Sequence, residues 1–169
     1  MKLEKDELII KIGLTFYITS FLGYLYELII NYYYSGKIFS HGILNGPWLP
    51  IYGAGAILIM SMYKYRKNPF LVFILSFLLS GILEYICGFI LLKFFKMRLW
   101  DYTGHFLNIN GFICFLSVFC FGIGGLIITY LLYPFVKRIY KKVDKKILKY
   151  LLSILSIIFI GDIIATILK

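Results

Sequence analysis

The sequence predicts an all-α fold: a polytopic transmembrane helix bundle of about five spans, with its N-terminus in the cytoplasm. Of the 169 residues, 61% are hydrophobic and only 15% are charged, and the mean hydropathy is +0.87, far from the balance of a soluble domain. The apolar residues gather into five runs bounded by Lys/Arg or by Gly/Pro/Asn clusters. Lys and Arg are shared unevenly between the intervening loops. Spans of roughly 20 residues joined by short loops use up the length, so residues 1–169 read as one integral membrane domain of the cell membrane.

The runs lie at about residues 9–34, 46–63, 69–95, 110–134 and 150–168. The first follows Met1-Lys-Leu-Glu-Lys-Asp-Glu7, which is too acidic for a signal-peptide leader and has no small-residue cleavage site behind it, so the run is expected to stay in the protein. The second is the weakest. It opens with Asn45-Gly-Pro-Trp-Leu-Pro50, and proline suits a helix's first turn but not its interior, which suggests a shortened or re-entrant segment. The third and fourth are long and apolar, and the fifth follows a Lys-rich stretch, Val136–Tyr150, read as a basic amphipathic segment on anionic headgroups or, alternatively, as a topology determinant alone. With five spans, thirteen of the eighteen Lys and Arg fall on one side: Lys2, Lys5 and Lys11, the 64–67 loop, and the 137–149 stretch. Cytoplasmic loops are the Lys/Arg-rich ones, so that side is the cytoplasm.

Several classes are excluded. The net charge of +10 is explained by this topology rather than by nucleic acid. No Gly-x-x-x-x-Gly-Lys-Ser/Thr loop occurs, so any ATPase is a separate chain. Cys87, Cys114 and Cys120 are odd in number and lack metal spacing, and they read as buried thiols. No cofactor is implied. A metal site from Glu27, Glu84, His41 and His105 would need several coincidences, since neither histidine sits in a helical metal motif.

The polar residues inside the runs carry the functional signal. Glu27 and Glu84 stand in apolar sequence, where a carboxylate costs about 2.5–3.5 kcal/mol on insertion scales and is tolerated when it faces a protein interior, a wet cavity or a partner. Tyr24, Glu27 and Asn31 share one helix face. Ser76, Ser80, Glu84 and Gly88 form a small-residue face that admits a neighbouring helix and aims Glu84 into the bundle. With the orientation above, Glu27 and Asp162 fall in the outer halves of their spans and Glu84 near the midplane or slightly outside it, and two Gly-rich stretches, His41–Gly55 and Trp100–Gly111, connect to span ends on that same side. The candidates for binding a substrate or ion are therefore Glu27, Glu84, Asp101, Asn45, Tyr52, Trp100, Arg98, His105 and Asn110. Arg98 is placed to pair with Asp101, with Glu84 or with an anionic ligand. The alternative for each glutamate is a packing contact with a Tyr hydroxyl, an Asn or a Lys/Arg; for Asp101 it is capping of a following turn.

Gly23-x-x-x-Glu27, Asn45-Gly-Pro-x-x-Pro50-x-Tyr-Gly53, Leu83-Glu84, Trp100-Asp-Tyr102 and Asn110-Gly111 together resemble the bacterial putative ABC-transporter type IV family, the CmpB-like permeases. The resemblance runs from about residue 12 to 133 and leaves out the last run and the basic stretch before it. It implies a multi-pass permease component, with no substrate attached to it.

Three functions fit these residues. One is transport, with Glu27, Glu84 and Asp101 around an outward-opening cavity for a cation or a cationic or polar solute, and with proton exchange at these carboxyls as a further expectation. The second is a small membrane enzyme acting on lipid or isoprenoid, with a carboxylate or His105 as base and Arg98 on an anionic headgroup; no nucleophile with a base at recognisable spacing supports it. The third is an accessory or regulatory membrane subunit. The expected partners are the lipid bilayer, a separate ATPase or other membrane subunit, and further copies of the chain, since a five-helix bundle encloses little volume.

Overall fold

The computed structural model describes residues 2–40 and 42–168, with side chains from Lys5 onward. His41 and the Lys2 side chain, which enter the expectations above, lie outside the described residues. The described chain is helical: α1 (Lys2–Ser35), α2 (Pro50–Ser61), α3 (Pro69–Phe95), α4 (Phe115–Ile127), α5 (Tyr133–Lys142) and α6 (Lys145–Ile167). A 3₁₀ turn, Tyr63–Tyr65, follows α2, and a π-helical turn, Ile128–Leu132, joins α4 to α5. Among the described residues four stretches are long and apolar enough to cross a membrane: Lys5–Ser35, Pro69–Phe95, Phe115–Lys142 and Lys145–Ile167.

Local chemistry sets the ends. α1 stops at Gly36, whose φ of 67° suits a residue without Cβ, while Ser35 Oγ donates to the Asn31 carbonyl at 2.7 Å. Pro50 opens α2 and Pro69 opens α3, where the Asn68 side chain accepts from Leu71 N at 3.1 Å. α4 starts in a capping box: Cys114 Sγ accepts from Ser117 N, and Ser117 Oγ accepts from Cys114 N. Pro134 follows the π turn; it lacks the N–H that a regular ladder would need there.

The chain forms two compact units, residues 1–53 with 133–169 and residues 54–132. In the first, α1 packs on α5 and α6. α1 and α6 run parallel, because Asp6 meets Lys149 at 2.6 Å, Tyr17 OH reaches Ser156 Oγ at 2.9 Å, and the Phe16 and Phe159 rings lie 5.5 Å apart edge to face. Ile10, Leu14, Val136, Tyr140 and Leu148 form the core at the N-terminal end of α1. Lys11 pairs with Glu7 and lies over the Tyr140 ring. In the second unit α3 and α4 pack antiparallel along the small-residue face expected from the sequence: Ser76, Ser80, Gly81, Glu84 and Gly88 are all buried. A Cβ on Gly125 would overlap the Ser76 side chain, so the backbone of α4 closes onto α3 where Gly125 leaves room. Leu78, Ile82 and Ile86 point outward and are about half exposed, as lipid-facing positions are.

Some expectations change. The second run yields only a twelve-residue helix, and residues 42–49 before it are irregular. The fourth begins at Phe115 rather than 110 and continues to Lys142, because the charged residues after Pro134 extend the helix with Val136 and Tyr140 turned inward. The basic stretch is broken at Val143-Asp144, where Asp144 accepts from Lys146 N and caps α6. Of the three thiols only Cys114 is buried; Cys87 is intermediate and Cys120 is exposed. Cys120 is on the face of α4 away from α3, where an uncharged, weakly polar thiol is tolerated against hydrocarbon.

Candidate functional site

Glu84 is 4% exposed and sits midway along α3. Its Oε1 accepts from Tyr102 OH and its Oε2 contacts Ser117 Oγ, each at 3.0 Å. Tyr102 comes from the loop after α3, and Ser117 from the first turn of α4, where the capping box fixes it. Three elements thus converge on one carboxyl at helix depth, where two hydroxyls meet it and, among the described residues, no Lys or Arg ion-pairs with it. Of the alternatives open to Arg98, Glu84 is not the one taken.

The loop between α3 and α4 is tied by its own polar groups. Arg98 pairs with Asp101 at 3.2 Å and donates to the Asn110 carbonyl at 2.9 Å. Asp101 Oδ1 accepts from Thr103 N at 2.8 Å, the turn-capping role that was its alternative reading. Hydrogen bonding to the Thr103 hydroxyl and then to its amide, reinforced by the Arg98 charge, holds the Asp101 carboxyl below the usual carboxylate range. Trp100 Nε1 donates to the Phe112 carbonyl at 2.9 Å and Asn110 Nδ2 to Tyr85 OH at 2.9 Å. Asn110 adopts φ 53° and Gly111 φ 69°, and Tyr102 N donates to the Gly111 carbonyl, so the Asn-Gly pair makes the turn that brings Tyr102 back to α3. His105 lies with its ring 6.0 Å from that of Tyr102. These residues build the wall that presents Tyr102; only Tyr102 touches Glu84.

In the first unit a second carboxylate organises the irregular segment. Asp162 on α6 accepts from Asn45 N (3.0 Å), Asn45 Nδ2, Gly46 N and Trp48 Nε1 (2.8 Å each). Leu49 N donates to the Ser20 carbonyl of α1 at 3.0 Å. Non-helical backbone at membrane depth persists where its polar groups are satisfied within the protein, and Asp162 does this for residues 45–48. Tyr52 packs where Gly23 leaves space, with its ring 6.3 Å from that of Tyr26. Glu27 Oε2 accepts from Ser40 Oγ at 3.2 Å, and Asn31 Nδ2 donates to the Phe39 carbonyl at 2.8 Å, so the polar stripe of α1 receives the chain that follows it.

The candidate residues therefore divide: Glu27, Asn45 and Tyr52 belong to the first unit, and Glu84, Arg98, Trp100, Asp101, His105 and Asn110 to the second. Sequence spacing did not reveal the pairing of Glu84 with Ser117, although Ser117 occupies the third position of a helix start, where a hydroxyl commonly turns back. Nor did it reveal that Asp162 serves the Asn-Gly-Pro segment, since the two are more than a hundred residues apart. Among the described residues no three His, Cys, Asp or Glu side chains converge as a metal site would require.

Long apolar helices, an irregular segment satisfied internally and a carboxylate held at helix depth define a multi-pass α-helical membrane protein. The chain belongs to the family described as Putative ABC-transporter type IV, whose model matches residues 14–167. The match includes the basic stretch and α6, which lie beyond the residues that carry the resemblance in the sequence. No curated protein and no solved structure matches the chain.

Proposed function

We propose that the chain is the permease-type, membrane-embedded component of a transport system of the cell membrane, and that Glu84 is its binding group for a cation or a cationic solute. The observation that carries this is the burial of Glu84: 4% exposed, within a span, and contacted by hydroxyls in place of a compensating charge. Packing alone does not need an ionisable group there, because an amide or a hydroxyl satisfies the same hydroxyls. Hydroxyl and carboxylate oxygens together suit a hard or hydrated cation. The energy source, on this reading, is a separate ATPase chain on the cytoplasmic side, as the family description suggests.

The topology is part of the proposal. α1 and α6 run parallel, with Asp6 at the start of one against Lys149 at the start of the other. If α1, α3 and α4–α5 each cross once, α6 would start on the opposite side from α1. The parallel pairing therefore needs a fourth crossing before α6, supplied by α2 together with the irregular residues before it. On this reading the chain crosses five times, and the N-terminus and the Lys-rich 137–149 stretch share the cytoplasmic side that Lys/Arg-rich loops favour.

The test is thermal unfolding of the full chain in nanodiscs with sodium, potassium, magnesium, choline or spermidine. A bound ligand stabilises by RT ln(1 + [L]/Kd), about 2.7 kcal/mol at a hundredfold excess over Kd. At least one cation is expected to raise the midpoint of the native chain and not that of Glu84→Gln. Identical responses of the two proteins to every cation would defeat the reading.

A further inference from the structure

The hydrogen bonds around Ser117 do not balance if Glu84 is ionised. Ser117 Oγ accepts from Cys114 N at 3.2 Å, and it lies 3.0 Å from both Glu84 Oε2 and the Cys114 carbonyl oxygen. A serine hydroxyl has one proton and two lone pairs. With a carboxylate at position 84, that one proton faces two acceptors and one 3.0 Å oxygen pair has no hydrogen between its members. With a carboxylic acid every contact is filled: Glu84 Oε2–H donates to Ser117 Oγ, Ser117 Oγ–H donates to the Cys114 carbonyl, and Tyr102 OH donates to Glu84 Oε1. The two lone pairs of Ser117 are then used by Cys114 N–H and by the acid.

We infer that Glu84 is a proton-binding site, loaded in this arrangement, and that Ser117 is the hydroxyl that changes partner when the proton leaves. On deprotonation the proton departs from Oε2, and Ser117 turns its hydrogen from the Cys114 carbonyl to the new carboxylate. The Cys114 carbonyl keeps Val118 N as a donor at 3.2 Å, so the turn strands no buried acceptor. The carboxylate then holds two hydroxyl donors, from Tyr102 and Ser117. Among the described residues the hydrogen-bond partners of Glu84 are the Tyr102 phenol from the loop and the Ser117 hydroxyl from α4, with the Cys87 thiol one turn along α3. Residues 54–61 of α2, which reach α3 through Gly55 and Leu83, contain no titratable side chain. Among the described residues no Lys or Arg ion-pairs with Glu84, so its charge is set by its own proton and by whatever binds it.

One consequence rests on the functional reading above: a cation entering this site takes the place of the proton, and the two compete for one carboxyl.

Infrared difference spectroscopy of the full chain in nanodiscs tests the proton directly. At neutral pH a protonated-carboxyl carbonyl band is expected that is absent from Glu84→Gln and disappears from the native chain at alkaline pH. Ser117→Ala removes the acceptor of the acid proton and should shift the band; Ser117→Thr, which restores the hydroxyl, should return it. Absence of any Glu84-dependent band at neutral pH would overturn the inference. Should Glu84→Gln fail to fold, a neutral-pH band unmoved in Ser117→Ala would overturn it equally. A Glu84-dependent band that no cation diminishes leaves the proton site standing and removes the solute reading, so the two fail separately.

Discussion

Three acidic side chains have three different jobs, decided by what surrounds each. Asp101, partly exposed in its loop, is ionised and fastens a turn through Thr103 N and Arg98. Because its folded-state pKa lies below the ordinary value, its contribution is fully present above the ordinary Asp range and is lost as the pH falls through the lowered one. The protection factor of the Thr103 amide should therefore persist below the ordinary Asp range before it falls, and Asp101→Ala should lower it several-fold at neutral pH. Asp162 stabilises backbone: its four donors cannot all be met by an amide, which offers one acceptor oxygen. Asp162→Asn should cost about 2 kcal/mol in the stability of the nanodisc-held protein, from donors left unmet. Glu84→Gln keeps shape and hydrogen-bonding capacity, so it should express and fold like the native chain while losing the response to cations.

The α3–α4 pair shows at the element scale what holds the Glu84 site together. Close approach at Ser76 and Gly125 lets Glu84 and Ser117 come within hydrogen-bonding distance a few turns away. Gly125→Ala forces a methyl group into Ser76 and should cost about 1–3 kcal/mol as overpacking, read as a lowered unfolding midpoint, and should weaken cation binding without touching a binding residue. The helices were legible in the sequence because lipid demands long apolar runs, and the inward face of α3 was legible because Ser76, Ser80, Glu84 and Gly88 share a helical period. α2 was the least legible element. Its length is set by Pro50 and by the irregular 42–49 segment, and that segment is held by Asp162 on a helix far along the chain. The Ser117 partner was hidden for the same reason: local patterns specify a helix face, whereas pairing across helices is set by tertiary packing.

At the scale of the whole molecule the parallel course of α1 and α6 has a directly observable consequence. Cysteines introduced at Lys5 and Lys146 should be labelled from the same side of the membrane, the cytoplasmic one, and a cysteine at Lys37 from the opposite side. Labelling of positions 5 and 146 from different sides would refute the five-crossing assignment. A separate ATPase, if it drives the protein, should co-purify from native membranes through the face at which the Lys-rich α5 ends. The claim on which these readings depend is that Glu84 is a binding group rather than a packing one. Equilibrium binding of the cation selected by the thermal panel, measured as radiolabelled ion retained by nanodisc-held protein, tests it most directly. Native protein and Asp162→Asn should retain the ion and folded Glu84→Gln should not; equal retention by folded Glu84→Gln would contradict the account.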